Sequence, residues 1–320
     1  MIKKSALFLF LLACPFVLKS VVAVSQEFIG VSGITRHGTD LLIVCDKGPS
    51  VYYRYPLKNL PQGPIIPIDV SLLQSVPLAG ASLPLDLEGI DVLADGRVVA
   101  VSESLSALVS EKETVAQYGG PFSELAGMGV EGVAVRRLDG GVSRVAVVWE
   151  GGYPEYDKVP IHLRGKISNT ALKPVMFIHD IRPNEICGKI KMNPSDQIEL
   201  NVPVPKGEEP LAQRYRVPDL VWHKWRHQGT EEWGIIALLS SRNLAQTQEY
   251  LYDELLRFNL KGEPVGKVID LNDFLPKDSH GLNWEGLGWY EEGKSVVLTY
   301  DNSREQKPFA LVVNLPEDWK

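Results

Sequence analysis

The chain of 320 residues has only three cysteines, too few for a disulfide scaffold. It has no excess of base, since 33 Lys and Arg stand against 40 Asp and Glu for a formal charge of −7. A general nucleic-acid binder needs a basic face, so that partner is excluded. Beyond residue 25 no hydrophobic run reaches membrane length, so no transmembrane span is expected. The catalytic signatures with a fixed local pattern are also missing: there is no Gly-x-Ser-x-Gly elbow, His-Glu-x-x-His helix, P-loop or Cys-x-x-Cys pair. Gly127-Met128-Gly129-Val130-Glu131-Gly132 has the glycine spacing of a dinucleotide loop, but it precedes a strand instead of following one. What the chain has in quantity is turn formers, 28 Gly and 22 Pro, within an ordinary 44% hydrophobic and 23% charged composition. That combination opposes disorder and predicts many short strands.

The N-terminus reads as an export signal. Met1-Ile2-Lys3-Lys4 is a positive start, Ser5 to Leu18 is apolar but too short to span a bilayer, and Ala23-Val24-Ser25 offers small residues for cleavage. Residues 1–25 are therefore assigned to a signal peptide and 26–320 to one mature domain, exported to the periplasm or the medium. A second reading takes Leu11-Leu12-Ala13-Cys14 as a lipoprotein box, with a lipid anchor on Cys14. Removing residues 1–25 takes away Lys3, Lys4 and Lys19 and leaves 30 bases against 40 acids, a net −10. Export permits a disulfide between Cys45 and Cys187. The apolar run Leu41–Cys45 favours a buried free thiol at Cys45 instead.

A repeat emerges when the sequence is folded about its turns. Leu87-Glu88-Gly89-Ile90, Val130-Glu131-Gly132-Val133 and Trp284-Glu285-Gly286-Leu287 each open an apolar stretch, followed by a Gly-containing turn and a second apolar stretch that ends in an acid. The trailing acids are Glu103, Glu150 and Asp301. Two degenerate copies start at Ser32, ending at Asp46, and at Asp219, ending at Arg242. In each copy the midpoint between the leading and trailing polar residues falls in or beside the turn, so a hairpin brings both to the end opposite the turn. The starts, at 32, 88, 131, 219 and 285, are spaced near the 40–45 residues of a propeller blade or at a larger interval. Residues 151–218 hold nine of the 22 prolines, which marks an insertion there, although Val175–Ile181 and Ile198–Val204 read as strands. About 295 mature residues fit six blades, with five as the next choice. Phe309–Leu315 is expected to share a blade with Phe28–Val31 and close the ring, leaving no free sheet edge.

The ordered series Ser32-Gly33-Ile34…Cys45-Asp46-Lys47-Gly48, Asp86-Leu87-Glu88-Gly89-Ile90…Glu103, Val130-Glu131-Gly132…Glu150, Asp219-Leu220…Arg242 and Trp284-Glu285-Gly286-Leu287…Asp301-Asn302 resembles the bacterial exported phytase-like family, also called "esterase-like activity of phytase". The likeness covers about residues 28 to 315. Where that family often has Ser-Asp-Arg-Gly, this chain has Cys45-Asp46-Lys47-Gly48. The resemblance implies an all-β propeller and, through the family name, hydrolysis of phosphate or related esters.

In a propeller the polar ends of the inner hairpins converge on one mouth of the central channel. The expected set is Asp46, Glu88, Glu103, Glu131, Glu150, Asp219, Glu285 and Asp301, with Arg242 as the one base at an equivalent position and Lys47 beside another. Crowded carboxylates must either protonate or bind a cation. Oxygen ligands without His or Cys suit Ca²⁺ before Mg²⁺. Glu131, Glu285 and Arg242 are the expected catalytic groups acting on a small anionic substrate. Asp46, Glu88, Glu103, Glu150, Asp219 and Asp301 are the expected metal ligands. Each acid also has a structural reading, as an acceptor of backbone N–H groups from the next blade, which makes the chain a non-catalytic Ca²⁺-stabilised binding module. Arg36-His37-Gly38 with His179-Asp180 resembles part of the histidine acid phosphatase pattern, but the second Arg and the Pro of that pattern are absent. His223 and His227 flank a hairpin turn, and His280 precedes Glu285 in a loop. Trp149, Trp222, Trp233, Trp284 and Trp289 are read as packing between blades.

Overall fold

A computed structural model describes residues 28, 30–57, 63–79, 85–119, 130–151, 173–191, 193–203, 213–227, 229–243, 250–276, 282–301 and 307–319. The export segment with Cys14, Gly127–Gly129 and His280 lie outside the described residues. Among the described residues no helix is long and apolar enough to cross a membrane.

The described strands assemble into five sheets, each a blade. Blade 1 is β1 (Val31–His37), β2 (Asp40–Cys45), β3 (Val51–Pro56) and β5 (Gln74–Pro77). Blade 2 is β6 (Leu87–Val92), β7 (Val98–Ser102), β8 (Ala107–Ser110) and β9 (Thr114–Gly119), edged by β13 (Gly188–Lys191), which runs parallel to β9. Blade 3 is β10 (Gly132–Arg137), β11 (Ser143–Trp149), β12 (Val175–Ile181) and β14 (Gln197–Glu199). Blade 4 is β16 (Leu220–His227), β17 (Thr230–Asn243), β18 (Tyr250–Asn259) and β19 (Pro264–Asp270), with β15 (Gln213–Arg216) on the far half of β17. Blade 5 is β20 (Trp284–Glu291), β21 (Ser295–Tyr300), β22 (Phe309–Asn314) and β4 (Ile65–Pro67).

Burial follows position in the blade. The second strands Val98–Ser102 and Ser295–Tyr300 are buried along their whole length, because neighbouring blades cover both faces. Continuous apolar runs are what such strands require. The outer strand β9 alternates, and β19 buries only Ile269. The inner strands β1, β6, β10, β16 and β20 neighbour one another in that cyclic order. Each adjacent pair of blades encloses its own apolar core, so a ring of five has five of them.

The blade count is thus five, not the preferred six. The long interval between Glu131 and Asp219 holds the outer strands of blade 3, the donated strand β13 and the first part of blade 4. The Pro-rich stretch 151–218 accordingly carries β12 to β15 rather than a pure insertion. Ring closure also differs in one partner. Phe309–Asn314 closes blade 5 as expected, but its partner is β4, through Phe309↔Pro67, Ala310↔Ile66 and Leu311↔Ile65. The segment near Phe28 joins the core of blade 1 instead. Cys45 lies in that core, Cys187 packs at the edge of the core between blades 2 and 3, and both thiols are free.

The repeated glycine is explained by the crowded axis. A β-carbon on Gly89 would lie 2.7 Å from the Val133 nitrogen, one on Gly33 would meet the Glu88 carbonyl, and one on Gly286 would lie 2.8 Å from the Ser32 carbonyl. Gly132 is pressed in the same way against Asp219 and Pro218. Four inner strands therefore touch backbone to backbone where only hydrogen fits.

Candidate active site: the acidic mouth

The acids that precede these glycines are aimed by bulges. The β1/β2, β6/β7 and β20/β21 ladders shift register at Val31/Gly33, Leu87/Ile90 and Trp284/Gly286. A bulge inserts a residue and redirects its side chain, which is how Glu88 and Glu285 come to face the channel. At Glu131 the same device appears as two residues opposite one: Gly132 pairs with Val148, and the Glu131 N–H also donates to the Val148 carbonyl at 2.8 Å. The trailing acids close the same end. The Asp46 N–H donates to the Gly30 carbonyl, that of Glu103 to Asp86 and that of Asp301 to Asn283.

One mouth therefore gathers Asp46, Glu88, Glu103, Glu131, Glu150, Glu285 and Asp301, joined by Asp86. Two cations answer them. Lys47 Nζ bridges Asp46 at 3.2 Å and Asp301 at 3.4 Å, tying blade 1 to blade 5. Arg216 Nη1 meets Glu150 at 2.9 Å and Nη2 meets Glu285 at 2.7 Å, while also donating to the Asn283 side chain. Asn283 in turn donates to Glu285.

Burial raises the pKa of four of these carboxyls, Asp46, Glu88, Glu131 and Glu285, and neighbouring acids add to it. Burial, reinforced by Glu285, Glu103, Asp46 and Asp86, holds Glu88 well above the carboxylate range. Burial with Glu150 and Glu88 does the same to Glu131. Glu285 is pushed up by burial to about 7, the nearby Arg216 restraining it, and Asp46 is pushed up by burial to about 6, restrained by Lys47.

Three of these acids form a tighter group. Asp46, Asp86 and Glu88 each offer one carboxylate oxygen within 4.8 Å of the others. Asp46 Oδ1 is buried without a hydrogen-bond partner among the described residues, folded over Gly30, where a β-carbon would collide with it. Gly30 sits at φ +69°, in the left-handed region. Asp86 also takes a left-handed conformation, φ 48°, uncommon outside glycine and concentrated at functional sites. An all-oxygen donor set with one unsatisfied buried oxygen fits a hard divalent cation.

Two expected site residues are placed elsewhere. Asp219 is buried in the wall between blades. Its Oδ1 accepts the Leu220 N–H and its Oδ2 accepts the Leu287 N–H, each at 2.8 Å. It is a fastener of blades 3, 4 and 5, and not a ligand at the mouth. Asp91 does the same between blades 2 and 3, accepting from Val92 at 2.7 Å and Val135 at 2.6 Å. Arg242 is not opposite Asp219. The β16/β17 ladder runs Leu220↔Ala237, so position 219 faces 238, and Arg242 pairs with Arg214 in the β15 extension. The arginine that meets the mouth acids is Arg216, from the strand that Pro218 separates from β16. Its only sequence signal is its place beside that proline. Asp86 was legible within the Asp86-Leu87-Glu88 motif as a second acid two residues from Glu88. Trp222 and Trp289 serve the ring, donating their indole N–H groups to Ala134 and Trp222 carbonyls in adjacent blades.

No protein-family model matches the sequence, so the phytase-like resemblance rests on its motifs alone, and no curated protein matches it either. Solved structures with a similar shape include virginiamycin B lyase from Staphylococcus aureus (9% identity, 92% of this chain and 97% of that one, TM-score 0.39). Others are an α-L-arabinanase from Penicillium chrysogenum (10%, 92% and 96%, TM-score 0.46) and a gluconolactonase from Xanthomonas campestris (9%, 90% and 87%, TM-score 0.34). Likeness at this level bears on neither substrate nor reaction.

Proposed function

We propose that the chain is a cation-assisted hydrolase of phosphate or related esters, working at the acidic mouth. The observation that carries this reading is the half-buried Asp46, Asp86 and Glu88 trio, whose three carboxylate oxygens converge at the mouth. These residues would hold Ca²⁺ before Mg²⁺, and the bound cation supplies charge stabilisation to a phosphoryl oxygen. Arg216 holds Glu150 and Glu285 in place and contributes positive charge toward an anionic substrate. Glu285, near neutrality in its proton affinity, takes the proton of the attacking water. Glu131, kept protonated by burial, gives its proton to the departing alkoxide as the ester bond breaks. We further place this chemistry outside the cytoplasm, on the strength of the export segment at residues 1–25.

A second reading has its own observation: the ion pairs of Arg216 and Lys47 tie different blades together, so the acids and any Ca²⁺ could serve the ring alone. One experiment separates the two. Phosphomonoesters and inositol phosphates are assayed with Ca²⁺ or with EDTA, on the wild type and on Glu131→Gln and Glu285→Gln. Hydrolysis that falls at least 100-fold in EDTA, and by as much in both variants at an unchanged melting temperature in Ca²⁺, supports the enzyme. No turnover in any form, together with a lower melting temperature in EDTA, supports the structural module.

A further inference from the structure

The other mouth of the channel has the opposite chemistry. Where the inner hairpins turn, residues from all five blades line a depression of about 360 Å³, inside the ~300–1,000 Å³ range of small-ligand sites. Arg36, Arg136 and Arg137 supply charge there, and Trp233, Trp289 and Tyr290 supply flat walls.

The guanidinium groups are held before any ligand arrives. Arg136 lies over the Trp233 ring at 3.4 Å from its centroid. Arg36 sits 5.1 Å from the Tyr290 ring centre and donates from Nη1 to the Tyr290 carbonyl at 2.9 Å and from Nε to the Gly38 carbonyl at 3.1 Å. Two of its five N–H donors are so engaged, which fixes the plane of the others.

Their charge is only partly offset by nearby acids. Arg144, which faces Arg136 across the β10/β11 ladder, is paired with Asp180 through two bonds of 2.8 and 2.9 Å. Arg136 and Arg137 make no ion pair with a described carboxylate. Two acids line the depression, Asp91, which accepts the Val92 and Val135 N–H groups and lies near Arg137, and Glu292, while Asp180 and Glu291 lie near Arg136 and Arg36, so three arginines outnumber the acids of the lining itself.

We infer that this turn-side mouth is a second binding site, for a small organic phosphate carried on a flat ring. The arginine forks take the phosphoryl oxygens and the ring stacks on the aromatic wall. The site draws on none of the residues proposed for the acidic mouth, which lies at the opposite ends of the inner strands.

Phenylphosphonate tests this directly, since it has the charge and the ring but no ester to hydrolyse. Titration is followed by tryptophan fluorescence and calorimetry in EDTA, which removes cation-dependent binding at the acidic mouth. Saturable one-to-one binding is expected, weakened at least tenfold in Arg136→Met and in Arg36→Met and unchanged in Glu88→Gln. Arg137→Met, at an exposed position, gives a further weakening that does not depend on the stacked arginines folding correctly. Absence of saturable binding overturns the inference, as does binding that survives all three arginine variants or is lost in Glu88→Gln. Competition by benzyl alcohol equal to that of inorganic phosphate would overturn the assignment of an anion.

Discussion

Asp219 and Glu131 stand at equivalent points of their repeats, and the sequence offers no reason to treat them differently. Their surroundings do. Asp219 is met by backbone N–H groups of three blades, whereas Glu131 faces other carboxylates across the channel. Removing the Asp219 carboxylate strands buried donors, each worth about 1–3 kcal/mol. Asp219→Ala is therefore expected to lower unfolding free energy by about 2–5 kcal/mol in a urea titration, and Asp219→Asn to recover only what one carbonyl oxygen can accept. The set of acids at the mouth was legible because hairpin symmetry pairs the start of one strand with the end of the next. The basic partner was not, because Arg216 belongs to a short strand outside the hairpin that the symmetry describes.

Among the elements, four of the five hairpins fold with the register their turns imply, to within a residue. Arg137↔Ser143 flanks the Asp139–Gly141 turn and Val92↔Val98 flanks Asp95-Gly96, as the glycine positions predict. The fourth blade departs because β17 is 14 residues long and serves two partners in succession, β16 and β15. A midpoint drawn between Asp219 and Arg242 spans both and lands on the wrong pair. The glycines carry different weights at this scale. Gly96, at φ +88°, has open space around it, while Gly89 is wedged against Val133 and Glu131. Gly89→Ala is expected to destabilise by about 1–3 kcal/mol through overpacking. Its added cost should show as a loss of melting temperature that a second variant, Val133→Ala, fails to relieve, because the clash is with the backbone nitrogen.

For the whole molecule, length alone suggested six blades, since it could not distinguish a sixth repeat from strands and loops attached to blades 2, 3 and 4. The five interblade cores decide the number. The ring also concentrates buried acids, and this sets how stability follows pH. Burial raises Glu285 and Asp91 to about 7 and Asp253, whose oxygens meet no hydrogen-bond donor among the described residues, to about 8. A carboxyl raised above its unfolded value contributes stability that is complete at low pH and is lost as pH rises through the folded value. His179 and His223, lowered by burial to about 4, act in the opposite sense, but only below about pH 6.5, where the unfolded histidines protonate. Between about pH 6.5 and 8 the carboxyls dominate. Melting temperature in EDTA is expected to fall steadily across that window, and added Ca²⁺ to flatten the fall by holding the mouth acids in their charged form.

The strand that closes blade 5 sets a timetable for making the protein. Ile65–Pro67 leaves the ribosome early, and its partner Phe309–Leu311 follows about 240 residues later. At ~5–20 residues per second of synthesis, the first half of that pair waits roughly 12 to 48 s for the second. Through that interval blade 5 does not exist and blade 1 has one flank bare, so the nascent chain needs shelter from strand-to-strand association until its last blade is complete.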